Sequence, residues 1–130
     1  PNPVVRQMVL GRLAGRSQIS LVEPLDYQPL LWCMKKSVLI LTDSGGIQEE
    51  GPSFGKPILI LRTTTERPEA VEAGCAEIVG TDAHRILERA SHYLEDEASS
   101  QRLAGCESPF GDGRAGEAIA RALSHAGRYR

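Results

Sequence analysis

Short apolar runs alternate with helix-like stretches along most of the chain, and this alternation constrains the fold more than any other feature. Residues 37–42 are apolar on both faces, as a central parallel strand covered by helices is. Residues 57–61 form a second buried run, and residues 19–22 and 76–80 fit shorter strands. Connections of a few residues between strands and helices favour a parallel sheet.

Apolar residues between these runs recur at three- and four-residue steps, which is typical of amphipathic helices. Asp26 is a candidate N-cap of one helix, and Pro68 suits the first position of another. The predicted helices cover residues 4–13, 27–36, 45–53, 68–74, 83–94, 97–103 and 116–123. The fold class is therefore α/β, a Rossmann-like parallel sheet with helices on both faces, in a single domain over residues 1–130.

Composition and charge exclude several classes of function. The 130 residues carry a formal net charge of −2 without a dense Lys/Arg patch, so we expect neither nucleic acid nor an anionic membrane as a partner. No apolar run approaches the roughly 20 residues that span a bilayer. The chain is expected to be cytoplasmic.

The cysteines and histidines do not indicate a metal site. Cys33, Cys75 and Cys106 are widely separated and form no CxxC pair, so we expect reduced, mostly buried thiols rather than a disulfide or a zinc site. The three histidines, His84, His92 and His125, fall on predicted helices. We expect them to lie on solvated faces, with no metal bound.

A glycine turn follows the run at residues 37–42. Ser44, Gly45 and Gly46 start the next predicted helix, whose free N–H groups and positive dipole end suit an anion. The glycines let an anion approach the backbone, and Ser44 adds a hydroxyl donor. The alternative is a structural N-cap on a tight turn.

Polar residues continue along the same helix. Glu50 lies one turn beyond Gly46, so its carboxylate is placed to accept from a ribose diol beside bound phosphate. The alternative is a solvated helical carboxylate. Because Gln48, Glu49 and Glu50 put three polar groups on a helix that must bury one face, we expect at least one of them to bind something.

A second polar loop follows the run at residues 57–61 and is expected at the same edge of the sheet. Arg67 lies in it after three threonines, and the planar guanidinium is suited to diphosphate oxygens. The alternative is a surface loop in which Glu66 and Arg67 pair with each other or with solvent.

Longer motifs indicate a family. TDSGGIQEEGPSFGKPILILRTTTERPEAVEAG, then VGTD and SPFGDGRAGEAIARAL, closely resemble the carboxyl-terminal domain of non-hydrolysing UDP-N-acetylglucosamine 2-epimerases. The resemblance implies the second half of a two-domain fold of the glycosyltransferase B type, with a UDP-sugar bound between the halves. The amino-terminal domain, which carries the acid and base carboxylates in the family, is expected to be absent from this chain.

The resemblance also implies roles for single residues. Ser44, Gly45 and Gly46 would hold the diphosphate, Glu50 the ribose, the backbone near Leu30 the uracil, and Arg67 the phosphates of the leaving group. The family chemistry removes the sugar C2 proton as UDP leaves C1, and UDP then adds back after reprotonation on the other face. It needs no metal and no nicotinamide cofactor, and Arg67 is the one catalytic candidate in this chain.

The expected function is thus UDP binding within an epimerase that interconverts UDP-GlcNAc and UDP-ManNAc for a cell-surface polysaccharide. The chain alone is expected to be inactive. Two alternatives stay open, a nucleotide-sugar-binding regulatory module and the carboxyl-terminal domain of a UDP-sugar glycosyltransferase. An apolar stripe on the last helix favours self-association and comprises Ala118, Ile119, Ala122 and Leu123.

Overall fold

The computed structural model describes residues 2–126. Their contacts divide the chain into two compact units, one within Pro1–Cys33 and one within Met34–Arg130. Helix α2, Tyr27–Lys36, begins in the first range and ends in the second.

The first unit holds helix α1, Pro3–Leu13, and a segment without regular structure. The Asn2 side chain caps α1 by accepting from the Val4 N–H, and an Arg6–Glu23 ion pair ties α1 to the following segment. The strand predicted at residues 19–22 is wrong. The Ile19 N–H donates to the Arg16 carbonyl in a turn, and a strand exists only where a neighbouring strand completes its hydrogen bonds.

The second unit is built on three parallel strands in the order β1-β2-β3. They are β1, Ile40–Thr42, β2, Ile58–Ile60, and β3, Ala76–Ile78. All three residues of β2 are fully buried, which confirms the parallel α/β sheet. The prediction that residues 37–42 form a central strand is wrong, because β1 lies at the edge of this sheet and Leu41 is 42% exposed.

Two short helices connect the strands. Helix α3, Gly45–Glu50, continues as a 3₁₀ helix over Gly51–Phe54, within the helix predicted at residues 45–53. Gly51 packs closely against β2, where a Cβ would lie 2.5 Å from Ile58 Cδ1 and would force the buried Ile58 side chain to shift. Helix α4, Pro68–Glu72, starts with its proline as predicted.

Three longer helices complete the described chain. They are α5, Ala83–Glu95, α6, Glu97–Ala104, and α7, Ala115–Ala126, close to their predicted positions. Asp82 caps α5 by accepting from the Arg85 N–H. None of the helices within residues 2–126 is long and apolar enough to cross a membrane.

The cysteines differ from the sequence prediction. Cys75 and Cys106 are joined by a disulfide across 31 positions, with Cα atoms 5.3 Å apart, because the chain from β3 through α6 returns to the start of β3. Cys33 is free and exposed rather than buried. Cys75 is buried as expected.

Candidate functional site

The candidate site lies where the parallel strands end. The Leu61 N–H donates to the Thr42 carbonyl at 2.9 Å, and the Val79 N–H donates to the Ile60 carbonyl at 3.0 Å. These bonds hold the three strand ends in register, so the turns that follow them leave the sheet at one edge. Ligands of open α/β sheets bind at this edge.

The glycine turn is open and ends in a helix start. Ser44 has the extended backbone of an N-cap, but its side chain makes no capping hydrogen bond, which leaves its hydroxyl available. A Cβ on Gly45 would meet nothing within 4 Å, and one on Gly46 only the Ser44 Oγ at 3.9 Å. The first-turn N–H groups of a helix have no intrahelical acceptor. The turn therefore presents unhindered donors.

A part-buried hydrogen bond joins the loop after β2 to α3. The Gln48 side chain is 1% exposed, and its Oε1 accepts from the Thr65 hydroxyl at 2.5 Å. The same Thr65 oxygen accepts from the Arg67 N–H at 3.0 Å. One hydroxyl thus links the helix that starts at Gly45 to the backbone that carries Arg67.

Arg67 is held against the next residue of the same helix. Its Nε donates to Glu49 Oε1, and its Nη1 donates to the Glu66 carbonyl at 3.0 Å. Hydrogen bonding to the Glu49 carboxylate raises the pKa of Arg67. The predicted alternative pairing with the Glu66 carboxylate does not form, because Glu66 Oε1 faces Arg62 Nη1 at 3.5 Å instead.

The structure brings most of the predicted site residues onto or beside α3. Ser44 occupies the N-cap position, Gly45 and Gly46 are the first two helical residues, and Glu50 is the last, with a half-buried side chain. Arg67 reaches the helix through Glu49. Their roles in binding stay predictions.

Leu30 belongs to a different part of the chain. It lies on α2 within the first unit, where it is half-buried. Its N–H donates to the Asp26 carbonyl at 3.1 Å, the hydrogen bond that starts the helix. The contact of the backbone near Leu30 with uracil stays a prediction.

Sequence reasoning did not assign Gln48, Glu49 and Thr65 to particular contacts. The only signal was three adjacent polar residues on a helix that packs against a sheet. It indicated that at least one of them has a partner, and the structure shows that Gln48 and Glu49 both bind groups of the loop after β2.

A second Arg–Glu pair lies between β3 and α5. Arg89 donates from Nε and Nη2 to the two oxygens of Glu77, at 2.7 and 2.9 Å, and the Tyr93 hydroxyl donates to Glu77 at 2.7 Å. Burial opposes ionisation of Glu77, but the hydrogen bonds from Arg89 and Tyr93 outweigh it and lower its pKa. Burial, and then the bond to Glu77, raise the pKa of Tyr93. Within residues 2–126, no three His, Cys, Asp or Glu side chains are grouped to hold a metal ion.

Comparison with protein families gives one match over nearly the whole chain. A family model described as UDP-N-acetylglucosamine 2-epimerase matches residues 1–124. A probable UDP-N-acetylglucosamine 2-epimerase of Ralstonia solanacearum is 49% identical over 122 residues, which are 94% of this chain and 32% of that protein. The chain thus spans about a third of the length of the curated relatives that it matches.

Solved structures give the same result. A structure of Staphylococcus aureus MnaA with UDP superposes with a TM-score of 0.90 at 42% identity, covering 99% of this chain and 35% of that one. The UDP-GlcNAc 2-epimerase of Neisseria meningitidis bound to UDP-GlcNAc superposes with a TM-score of 0.87 at 44% identity, covering 95% of this chain and 34% of that one.

Proposed function

This chain belongs to the UDP-N-acetylglucosamine 2-epimerase family, and we propose that it forms the UDP-binding part of an enzyme that interconverts UDP-GlcNAc and UDP-ManNAc. The family match and the similarity to proteins solved with UDP and with UDP-GlcNAc support this proposal. Because the chain spans about a third of its relatives, we assign the remaining parts of the reaction to an amino-terminal domain outside this chain.

One observation carries the proposal, the open glycine turn at the start of α3 with Arg67 bound to the same helix. The amides of Gly45 and Gly46 and the Ser44 hydroxyl would donate to the diphosphate. Glu50 would accept from the ribose hydroxyls, and the backbone near Leu30 would contact uracil. Donors that are already in place when negative charge develops on a leaving group lower the barrier to its departure.

The proposed chemistry follows from what this part of the enzyme binds. UDP leaves C1 of the sugar as the C2 proton is removed, and it adds back after reprotonation on the other face. This chain would stabilise the UDP leaving group, with Arg67 as its catalytic cation. Proton transfer requires acid and base groups, which we assign to the amino-terminal domain. No metal and no organic cofactor enter the scheme, and we place the reaction in the cytoplasm, in the synthesis of a cell-surface polysaccharide.

Titration of the chain with UDP, followed by nuclear magnetic resonance at millimolar ligand, tests the binding site. We expect the largest shifts at residues 44–50 and 62–67. Gly46→Ala should weaken UDP binding at least about fivefold, because a methyl group would stand in the anion's approach, while the open space around it leaves the fold intact. No effect of UDP on the spectrum, or unchanged affinity in the variant, would count against the proposed diphosphate site.

A matched control is available at another helix start. Gly116 is the second residue of α7, as Gly46 is of α3, and a Cβ on Gly116 would meet nothing within 4 Å. Gly116→Ala should leave UDP affinity unchanged. Separately, the chain incubated with UDP-GlcNAc should yield no UDP-ManNAc in a proton spectrum, and product formation would show that the acid and base groups are wrongly assigned.

A further inference from the structure

We propose that Gln48 and Thr65 are positioning residues that hold Arg67 in the position from which it binds the diphosphate. The inference rests on the proposed function and adds two residues that touch neither sugar nor phosphate in the scheme. The supporting observation is the part-buried hydrogen bond between Gln48 on α3 and Thr65 in the loop after β2.

The buried Gln48 amide fixes the orientation of the Thr65 hydroxyl. A buried amide without a hydrogen-bond partner is unfavourable, so Gln48, at 1% exposure, strongly favours the contact with Thr65. The hydroxyl has one proton, which it donates to Gln48 Oε1. Its oxygen is then an acceptor for the Arg67 N–H, at 3.0 Å. The backbone of Arg67 is thereby fixed relative to α3.

The guanidinium is oriented by what it already binds. Its Nε edge faces Glu49, and Nη1 donates to the Glu66 carbonyl. Among the described residues, Arg67 Nη2 makes no hydrogen bond. An Arg fork donates bidentately when its geometry is preset. The Nη side of Arg67 is therefore the part left for phosphate oxygens.

Thr65 variants test the positioning through the ratio of uridine to UDP dissociation constants, which isolates the diphosphate. In the 130-residue chain, Thr65→Val should lower this ratio about tenfold, and Thr65→Ser, which keeps the hydroxyl, should restore it. Arg67→Ala should lower the ratio to the same extent, and adding Thr65→Val to it should cause no further loss. Additive losses would overturn the inference.

A double variant separates positioning from stability. Thr65→Val leaves the Gln48 amide buried and unpaired, whereas replacing both partners by apolar groups of similar shape is nearly neutral for folding. We expect Gln48→Met with Thr65→Val to recover the wild-type melting temperature but not the wild-type ratio. Recovery of both would show that the hydrogen bond serves only stability and would overturn the inference.

The Arg67 Nε–H resonance supplies a readout without ligand. It should be resolved in the wild-type chain and in Thr65→Ser, and broaden or shift in Thr65→Val and in the double variant. An unchanged resonance in both valine variants would contradict the inference. A wild-type chain that does not prefer UDP over uridine would instead overturn the proposed function, and the inference with it.

Discussion

Two Arg–Glu pairs in the same unit are built differently. Arg89 meets both oxygens of Glu77, and the Tyr93 hydroxyl joins them, so that the carboxylate is fully engaged. Arg67 meets Glu49 through Nε alone. Side-chain exposure is 29% and 24% in the Arg89–Glu77 pair, and 39% on each side of the Arg67–Glu49 pair.

The difference separates a structural pair from a candidate binding pair. Arg89 gives two donors to the half-buried Glu77 carboxylate and so joins α5 to β3. Arg67 gives Glu49 one hydrogen bond and the Glu66 carbonyl another, which orders the guanidinium and keeps its Nη2 donors for an anion. We therefore expect changes around Glu77 to alter stability and changes around Glu49 to alter binding.

The largest effect on stability is expected at the disulfide. The loop that it closes contains Glu77 with its partners Arg89 and Tyr93, and it excludes Glu49 and Arg67. Closing a loop of 31 positions is worth about 3–4 kcal/mol. The double variant Cys75→Ser, Cys106→Ser should lose about that much free energy of unfolding in urea, with unchanged preference for UDP over uridine.

Two controls complete the disulfide experiment. Cys33→Ser, at the free and exposed cysteine, should leave stability unchanged. Reductant should bring the wild-type chain to the stability of the double variant, and the reduced chain must still fold if the protein works in a reducing cytoplasm. Wild-type stability that does not respond to reductant would show that the bond does not form in solution.

Removal of Glu77 is expected to have the next largest effect. Glu77→Ala leaves Arg89 and Tyr93 without their shared acceptor in a half-buried position, which should cost about 1–3 kcal/mol. Glu117 is the matched control, since it also accepts from two arginines, Arg114 and Arg121, but is 56% exposed. Glu117→Ala should change the free energy of unfolding by less than about 1 kcal/mol. Equal losses of unfolding free energy in Glu77→Ala and Glu117→Ala would show that the half-buried network is no more stabilising than the exposed one.

Sequence patterns predicted the helices and all three strands of the sheet, because apolar spacing and caps are local signals. Pro68 starts its helix as expected. The strand at residues 19–22 was wrong because pairing with a neighbour is not encoded in a short apolar run. The central position of residues 37–42 failed for the same reason, since apolar composition does not specify strand order.

The residues of the candidate site were predictable from the sequence, but their hydrogen-bond partners were not. Ser44, Gly45 and Gly46 stand at a helix start, as their sequence indicated. The partners of Gln48, Glu49 and Arg67 were not predictable, because contacts across 17 and 18 positions depend on how the loop after β2 crosses α3. The Cys75–Cys106 bond likewise depends on the return of the chain after α6.

A smaller effect on stability is expected from pH, and it should follow Glu77. Its pKa in the folded chain lies below the ordinary value of 4.5, so the folded state binds this proton more weakly than the unfolded state. The stabilisation is complete above the unfolded value and is lost as pH falls below about 4.5 towards the folded value. Urea unfolding at pH 3 to 6 should show this loss in the wild type and a flatter profile in Glu77→Ala. Parallel profiles would assign the acid sensitivity to other carboxylates.

The smallest effect on stability is expected at Glu49, where binding should change instead. Glu49→Gln keeps an oxygen that can accept from Arg67 Nε but removes a negative charge next to the proposed diphosphate site. Partly exposed ion pairs contribute little to folding, so the free energy of unfolding should change by less than about 1 kcal/mol. UDP should bind about two- to fivefold more tightly, because the repulsion between carboxylate and diphosphate is gone, while uridine affinity stays the same. Glu49→Ala, which also removes the acceptor, should lose this gain. If Glu49→Gln binds UDP like the wild type but is destabilised as strongly as Glu77→Ala, the Arg67–Glu49 pair also has a structural role and the distinction fails.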